Sequence, residues 1–143
     1  MKEFKLICIL FFVILQSCSL KKPSNEEVIG NWSNADGSSI VFKKNGDFYG
    51  KDLSVYGFYY AFHKDEITNN FVGSGKWEIT KQNGKWIVDL DFKENSIYKK
   101  NNVSINSTLF ISGEGCLSNK RPIHLYLQVG DPDLDERYEF YKQ

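Results

Sequence analysis

Beyond residue 28, hydrophobic and polar side chains alternate with a period of two, in short segments separated by turn residues. Lys85 to Phe92 is the cleanest segment: Trp86, Val88, Leu90 and Phe92 point one way, Asp89 and Asp91 the other. A strand with that pattern has one dry face and one wet face. Pro122 to Val129 repeats it, with Ile123, Leu125, Leu127 and Val129 inward and His124, Tyr126 and Gln128 outward. Val103 to Ile111 and Phe71 to Thr80 alternate in the same way. Ser39 to Lys43 places Ile40 and Phe42 on one face. Ile29 to Ser33, Phe48 to Leu53 and Arg137 to Tyr141 supply shorter strands. Val55 to Phe62 is aromatic throughout and reads as a strand, with Tyr56, Phe58, Tyr60 and Phe62 on its core face and Tyr59 on the other.

Two Asn-Gly pairs, Asn45-Gly46 and Asn83-Gly84, mark hairpins, because these residues tolerate the positive φ that tight turns need. Lys93 to Asn102, rich in Asn and Lys, reads as a long loop or one helical turn. No amphipathic helix of three turns is visible after residue 28. Eight or nine sequential strands with one dry face each must close on themselves or stack. The expected fold is all-β, a small antiparallel up-and-down barrel, with a two-sheet sandwich as the alternative.

The start of the chain follows a different pattern. Leu6 to Leu15 is an unbroken apolar run behind Lys2 and Lys5. As a helix it would span about 15 Å, half of the roughly 30 Å hydrocarbon core of a bilayer. That length and the basic flank fit a signal-peptide core. Lys21 to Glu27 is polar and aperiodic and reads as a tether, with Glu26-Glu27 able to open one helical turn.

The composition adds limits. The 143 residues carry 18 Lys+Arg and 18 Asp+Glu, a formal charge of +0, so no nucleic-acid partner is expected. The 11 Phe, 8 Tyr and 3 Trp are too many for a disordered chain.

Leu15-Gln16-Ser17-Cys18 resembles the lipobox of bacterial lipoproteins, with Leu first, a small Ser before the Cys, and the Cys directly after the apolar core. Gln16 departs from the small or branched residue usual at its position. The resemblance implies lipidation of the Cys18 thiol, removal of residues 1–17 and acylation of the new N-terminus. More than one acyl chain holds a protein firmly on a membrane. The implied organisation is a signal peptide at 1–17, a lipidated cysteine and tether at 18–28, and one β domain at 29–143. The implied location is the bacterial cell envelope, on the periplasmic side of the outer membrane in a Gram-negative cell. Ordinary secretion, with cleavage nearby, is the alternative. With Cys8 discarded and Cys18 acylated, Cys116 is left without a disulfide partner and is read as inert.

Gly30-x-Trp32, followed by Phe42-Lys43-Lys44-Asn45-Gly46-Asp47-Phe48, resembles the opening of small bacterial lipocalin-like domains, and Gly75-Lys76-Trp77 before the second Asn-Gly turn is similar to their middle hairpins. The likeness covers about residues 29–92. It implies a barrel in which Trp32 packs at the floor. Tyr126 to Asp133, through Tyr138 to Lys142, resembles the C-terminus of uncharacterised envelope lipoproteins, with a Gly-Asp-Pro-Asp turn joining the last two strands.

Little in the chain points to catalysis. His63 and His124 are the two histidines, and neither sits in a nucleophile or zinc motif. An envelope enzyme would need one of them to meet a carboxylate in a cleft. Asp131, Asp133 and Asp135 have the spacing that opens a calcium loop, but Glu136 stands where such a loop needs Gly. The segment is read as a solvated turn, with a cation site as the alternative. Tyr59, Tyr98 and Tyr126 are the expected outward tyrosines of a binding surface, since Tyr gives large contact area at low entropic cost. The resulting expectation is a noncatalytic, membrane-anchored envelope protein, without a cofactor, that binds a protein or small ligand. A carrier of a small apolar molecule inside the barrel is the alternative, and a histidine-dependent enzyme is the third reading.

Overall fold

A computed structural model describes residues 22–58, 70–97, 105–112, 123–129 and 136–143. Eight antiparallel strands follow in chain order: β1 (Gly30–Ser33), β2 (Ser39–Phe42), β3 (Asp47–Leu53), β4 (Phe71–Gln82), β5 (Lys85–Asn95), β6 (Ile105–Ser112), β7 (His124–Gln128) and β8 (Arg137–Lys142). Each pairs with the next, and β8 returns to β1, so the sheet closes as an up-and-down barrel and does not stack as a sandwich. Two helical turns accompany it, α1 (Asn25–Val28) before β1 and α2 (Val55–Phe58) after β3.

Up-and-down order fixes what shares each end. The near end holds α1, the start of β1, the β2–β3 and β4–β5 turns and the end of β8. The far end holds the β1–β2 turn and α2. At the near end, Ser24 and Glu27 form a capping box for α1, and Val28 is fully buried. Trp32, also fully buried, donates its indole N–H to the Val28 carbonyl at 2.7 Å. The packed unit therefore includes the turn at 25–28.

The two Asn-Gly turns are built differently. Asn83 (φ 48) and Gly84 (φ 81) both lie in the left-handed region, a two-residue turn between paired Gln82 and Lys85. In the first, among Lys44, Asn45 and Gly46, only Gly46 is left-handed (φ 81), and the loop has three residues between Lys43 and Asp47.

The reading of Val55 to Phe62 as a strand is corrected over Val55–Phe58; residues 59–62 lie outside the described residues. Val55–Phe58 is a helical turn, capped by Ser54, whose carbonyl accepts Phe58 N–H at 3.1 Å. Val55 and Phe58 are three residues apart, so one turn buries both, where a strand would point them to opposite faces. The expected loop from Lys93 also begins later, because β5 runs on to Asn95, which is buried.

Inside the barrel, aromatic rings touch from end to end. Trp77 meets Phe42 at 5.4 Å between centroids, and Phe48 meets Phe92 at 4.8 Å in a T-shaped contact. Phe92 meets Phe71 at 5.7 Å. Phe58 of α2 closes the far end against Phe71, Phe92 and Phe140. Such edge-to-face pairs contribute about 1 kcal/mol each beyond burial. Bends make the closure feasible. The β4–β5 register shifts at Ser74/Gly75, where a Cβ on Gly75 would stand 1.9 Å from the Asp91 carbonyl oxygen.

Candidate binding surface on the barrel wall

The outward residues of β5 to β8 form a ladder. Pairing sets Ile87 beside Phe110, Phe110 beside Tyr126, and Tyr126 beside Glu139. Phe110 and Tyr126 stack at 5.4 Å with an interplanar angle of 26°. The Arg137 guanidinium lies 4.6 Å from the Tyr126 ring centre, and the Lys85 ammonium 5.9 Å from that of Phe110. These are cation–π distances. Alongside, His124 stacks on Tyr141 at 5.5 Å, and its Nε2 is 3.6 Å from Glu139 Oε1. The Tyr141 hydroxyl donates to Glu139 Oε2, and that bond holds the phenol above its ordinary pKa. Strand pairing fixes the backbone beneath every one of these rings, so the surface is ordered before any partner arrives.

Tyr126 and His124 thus face outward, as the alternation requires. The structure brings His124 to a carboxylate, that of Glu139, on the outer face of β7 and β8. Phe110, Arg137, Glu139 and Tyr141 join the surface from neighbouring strands. Their outward parity was available in the sequence, and their adjacency depended on register. Tyr59, Tyr98, His63, Cys18, Cys116, Asp131, Asp133 and Asp135 lie outside the described residues. Among the described residues, no three His, Cys, Asp or Glu side chains gather to hold a metal ion.

A second outer region crosses β3, β4 and β5 at the register shift. A groove of about 420 Å³ is lined by Lys43, Tyr49, Lys76, Lys93 and Glu94 among others, and one of about 210 Å³ adjoins it at Tyr49, Val72 and Ser96. Tyr49 and Val72 are two of the large exposed apolar side chains, at 43% and 37%. Lys76 pairs with Asp47 at 2.5 Å, and that hydrogen bond, with one from Asn45, holds the Asp47 carboxyl below its usual pKa. Lys93 pairs with Asp91. Further along β5, partial burial and then the charges of Glu78 and Asp91 raise the pKa of Asp89.

Comparison with protein-family models, with curated proteins and with solved structures finds no match for this chain.

Proposed function

We propose that the chain is a noncatalytic, lipid-anchored envelope protein that binds a protein partner through the outer wall of β6, β7 and β8. The carrying observation is where the rings stand. Packed phenylalanines occupy the interior, while Phe110, Tyr126 and Tyr141 stand outside, stacked and flanked by Arg137. Tyr and Arg on a rigid, gently convex face are the side chains that anchor protein–protein contacts. The anchor half of the proposal rests on the apolar run and on Leu15-Gln16-Ser17-Cys18. The column of rings inside the barrel counts against an internal carrier.

The test is capture from detergent-solubilised envelope by the full chain, beside Tyr126→Ala and Arg137→Ala. A partner that binds the wild type and is weakened by about 2 kcal/mol with either variant supports the reading. A partner retained equally by all three forms, or repeated recovery of none, overturns it. For the anchor, mass spectrometry should find acyl groups on Cys18, and Cys18→Ser should abolish processing and membrane retention.

A second reading has its own observation: the 420 Å³ groove at Tyr49, Lys76 and Lys93 is large enough for a small polar ligand. Loss of ligand binding in Tyr49→Ala, with Tyr126→Ala unaffected, would favour it.

A further inference from the structure

The near end of the barrel gathers lysines that are scattered in sequence. Lys43 and Lys44 stand at the β2–β3 turn, Lys81 and Lys85 flank the β4–β5 turn, whose hairpin runs on from Trp77 past the β2–β3 turn, and Lys22 enters beside that hairpin, all five exposed. Trp86, near the tip of the β4–β5 hairpin and packed in part against the core, is within cation–π reach of two of these charges: the Lys81 ammonium is 5.4 Å from its ring centre and that of Lys22 is 5.8 Å. The Lys22 contact ties the tether to the hairpin across more than sixty positions of sequence.

Among the described residues, two acidic groups at this end are engaged within the protein. Glu27 accepts the Ser24 N–H in the capping box at 2.8 Å, and Asp47 is paired with Lys76. Lys142 serves α1, donating to the carbonyls of Glu26 and Glu27 at 3.1 and 3.0 Å. Glu26 is the remaining exposed carboxylate of α1.

We infer that this end is a membrane-facing surface that docks on anionic phospholipid headgroups. The inference rests on the lipid-anchor reading of Cys18. Lys22 lies four positions after Cys18, a reach of at most about 14 Å even when fully extended. An acylated Cys18 therefore keeps Lys22, and with it the Trp86 hairpin, at headgroup level. Trp with flanking Lys is the combination that settles at that depth: the indole lies among the headgroups, and the ammonium groups meet their phosphates. The charges are complementary, although the chain as a whole is neutral. The barrel would then stand upright on the leaflet, with its near end down and the β6–β8 wall facing sideways, Lys85 at the border between the two surfaces.

The experiment uses the full chain purified from membranes, reconstituted into vesicles of phosphatidylcholine alone or with roughly 30% phosphatidylglycerol, whose anionic headgroups attract basic segments. Each composition is prepared with brominated acyl chains as a fluorescence quencher. Trp32 is fully buried and Trp77 nearly so, which leaves Trp86 as the reporter; Trp86→Phe identifies its signal. Quenching that appears with the anionic lipid and is lost in Trp86→Phe is the expected result. In a Lys22→Gln/Lys81→Gln/Lys85→Gln chain it should fall to the level seen with phosphatidylcholine. An acylated, vesicle-bound chain whose Trp86 is unquenched, or quenched equally in both compositions, overturns the docking surface and leaves the anchor standing. Absence of acyl groups on Cys18 overturns the anchor on its own. Flotation of that unacylated chain then decides the surface: anionic vesicles should bind it, with roughly fivefold weaker binding for each lysine removed, and failure to float overturns the surface too.

Discussion

Trp77 holds the β2–β3 turn through Lys43: its indole N–H donates to the Lys43 carbonyl at 3.0 Å, and its backbone N–H reaches the Gly46 carbonyl of the same turn at 2.8 Å. One residue of β4 thereby fixes a turn thirty positions earlier, and its ring packs on Phe42 below. Trp77→Phe keeps most of the ring and removes the indole donor. A loss of about 1–2 kcal/mol is expected, read as a lower midpoint of urea unfolding at unchanged slope.

Gly75 and Gly84 should respond very differently to alanine. At Gly75 the new Cβ would overlap the Asp91 carbonyl, which is backbone in a paired strand and cannot move aside. Gly75→Ala is expected to cost about 3 kcal/mol or more, and to give little soluble protein if total stability is ordinary. At Gly84 the space is open and only the left-handed φ of 81° opposes the change. Gly84→Ala should cost about 1 kcal/mol. Thermal unfolding of the two variants side by side checks the contrast, and similar losses would contradict it.

Phe58 is the keystone of the far end, in T-shaped contact with three buried phenylalanines. Phe58→Ala opens a cavity there and should lower stability by about 3–4 kcal/mol, whereas Phe58→Leu should recover more than half. Binding at the β6–β8 wall, measured on the folded fraction, should be unchanged in Phe58→Leu.

Acid and base act oppositely at two aspartates. Asp89 has a folded pKa raised above its ordinary value of 3.8, first by burial and then by Glu78 and Asp91. Between that value and the raised one, the folded chain binds the extra proton, so stability falls as pH rises through this window and the full penalty is present at neutral pH. Asp89→Asn should gain about 0.5 kcal/mol at pH 7, as expected for like charges facing across strands, and should flatten this part of the pH profile. Asp47 has the opposite sign. Its folded pKa is lowered by Lys76, so its stabilisation is present above 3.8 and is lost as pH falls through the folded value. Urea melts from pH 3 to pH 7 (spanning roughly the carboxylate range) on both Asn variants separate the two contributions.

Strands such as β5 and β7 were legible because their parity is strict: Val88, Leu90 and Phe92 inside, Asp89 and Asp91 outside. The succession of one-sided strands required closure or stacking, and the pairing of β8 with β1 decides for closure. Val55 to Phe58 misled because aromatic content favours strands, while the local signal, Ser54 as a cap and burial at a spacing of three, weighs little until the barrel end is there to cover. For the surface, the sequence showed that Tyr126 faces out. That Phe110 and Arg137 stand beside it depends on how far each strand slides along its neighbour, and the register shift at Ser74/Gly75 shows that such offsets cannot be counted from turn to turn. The lysines around Trp86 are likewise far apart in the chain and meet only through the topology.

The seam between first and last strands is short, with Trp32 opposite Lys142 and Ser33 opposite Tyr141. Just inside it, Lys142 grips the carbonyls of Glu26 and Glu27 from 116 and 115 positions away. β1 and α1 therefore wait for β8, more than a hundred positions on, before their own hydrogen bonds are complete. Until β8 pairs, the chain exposes two unzipped borders, and deletion of β8 would leave an adhesive, open sheet.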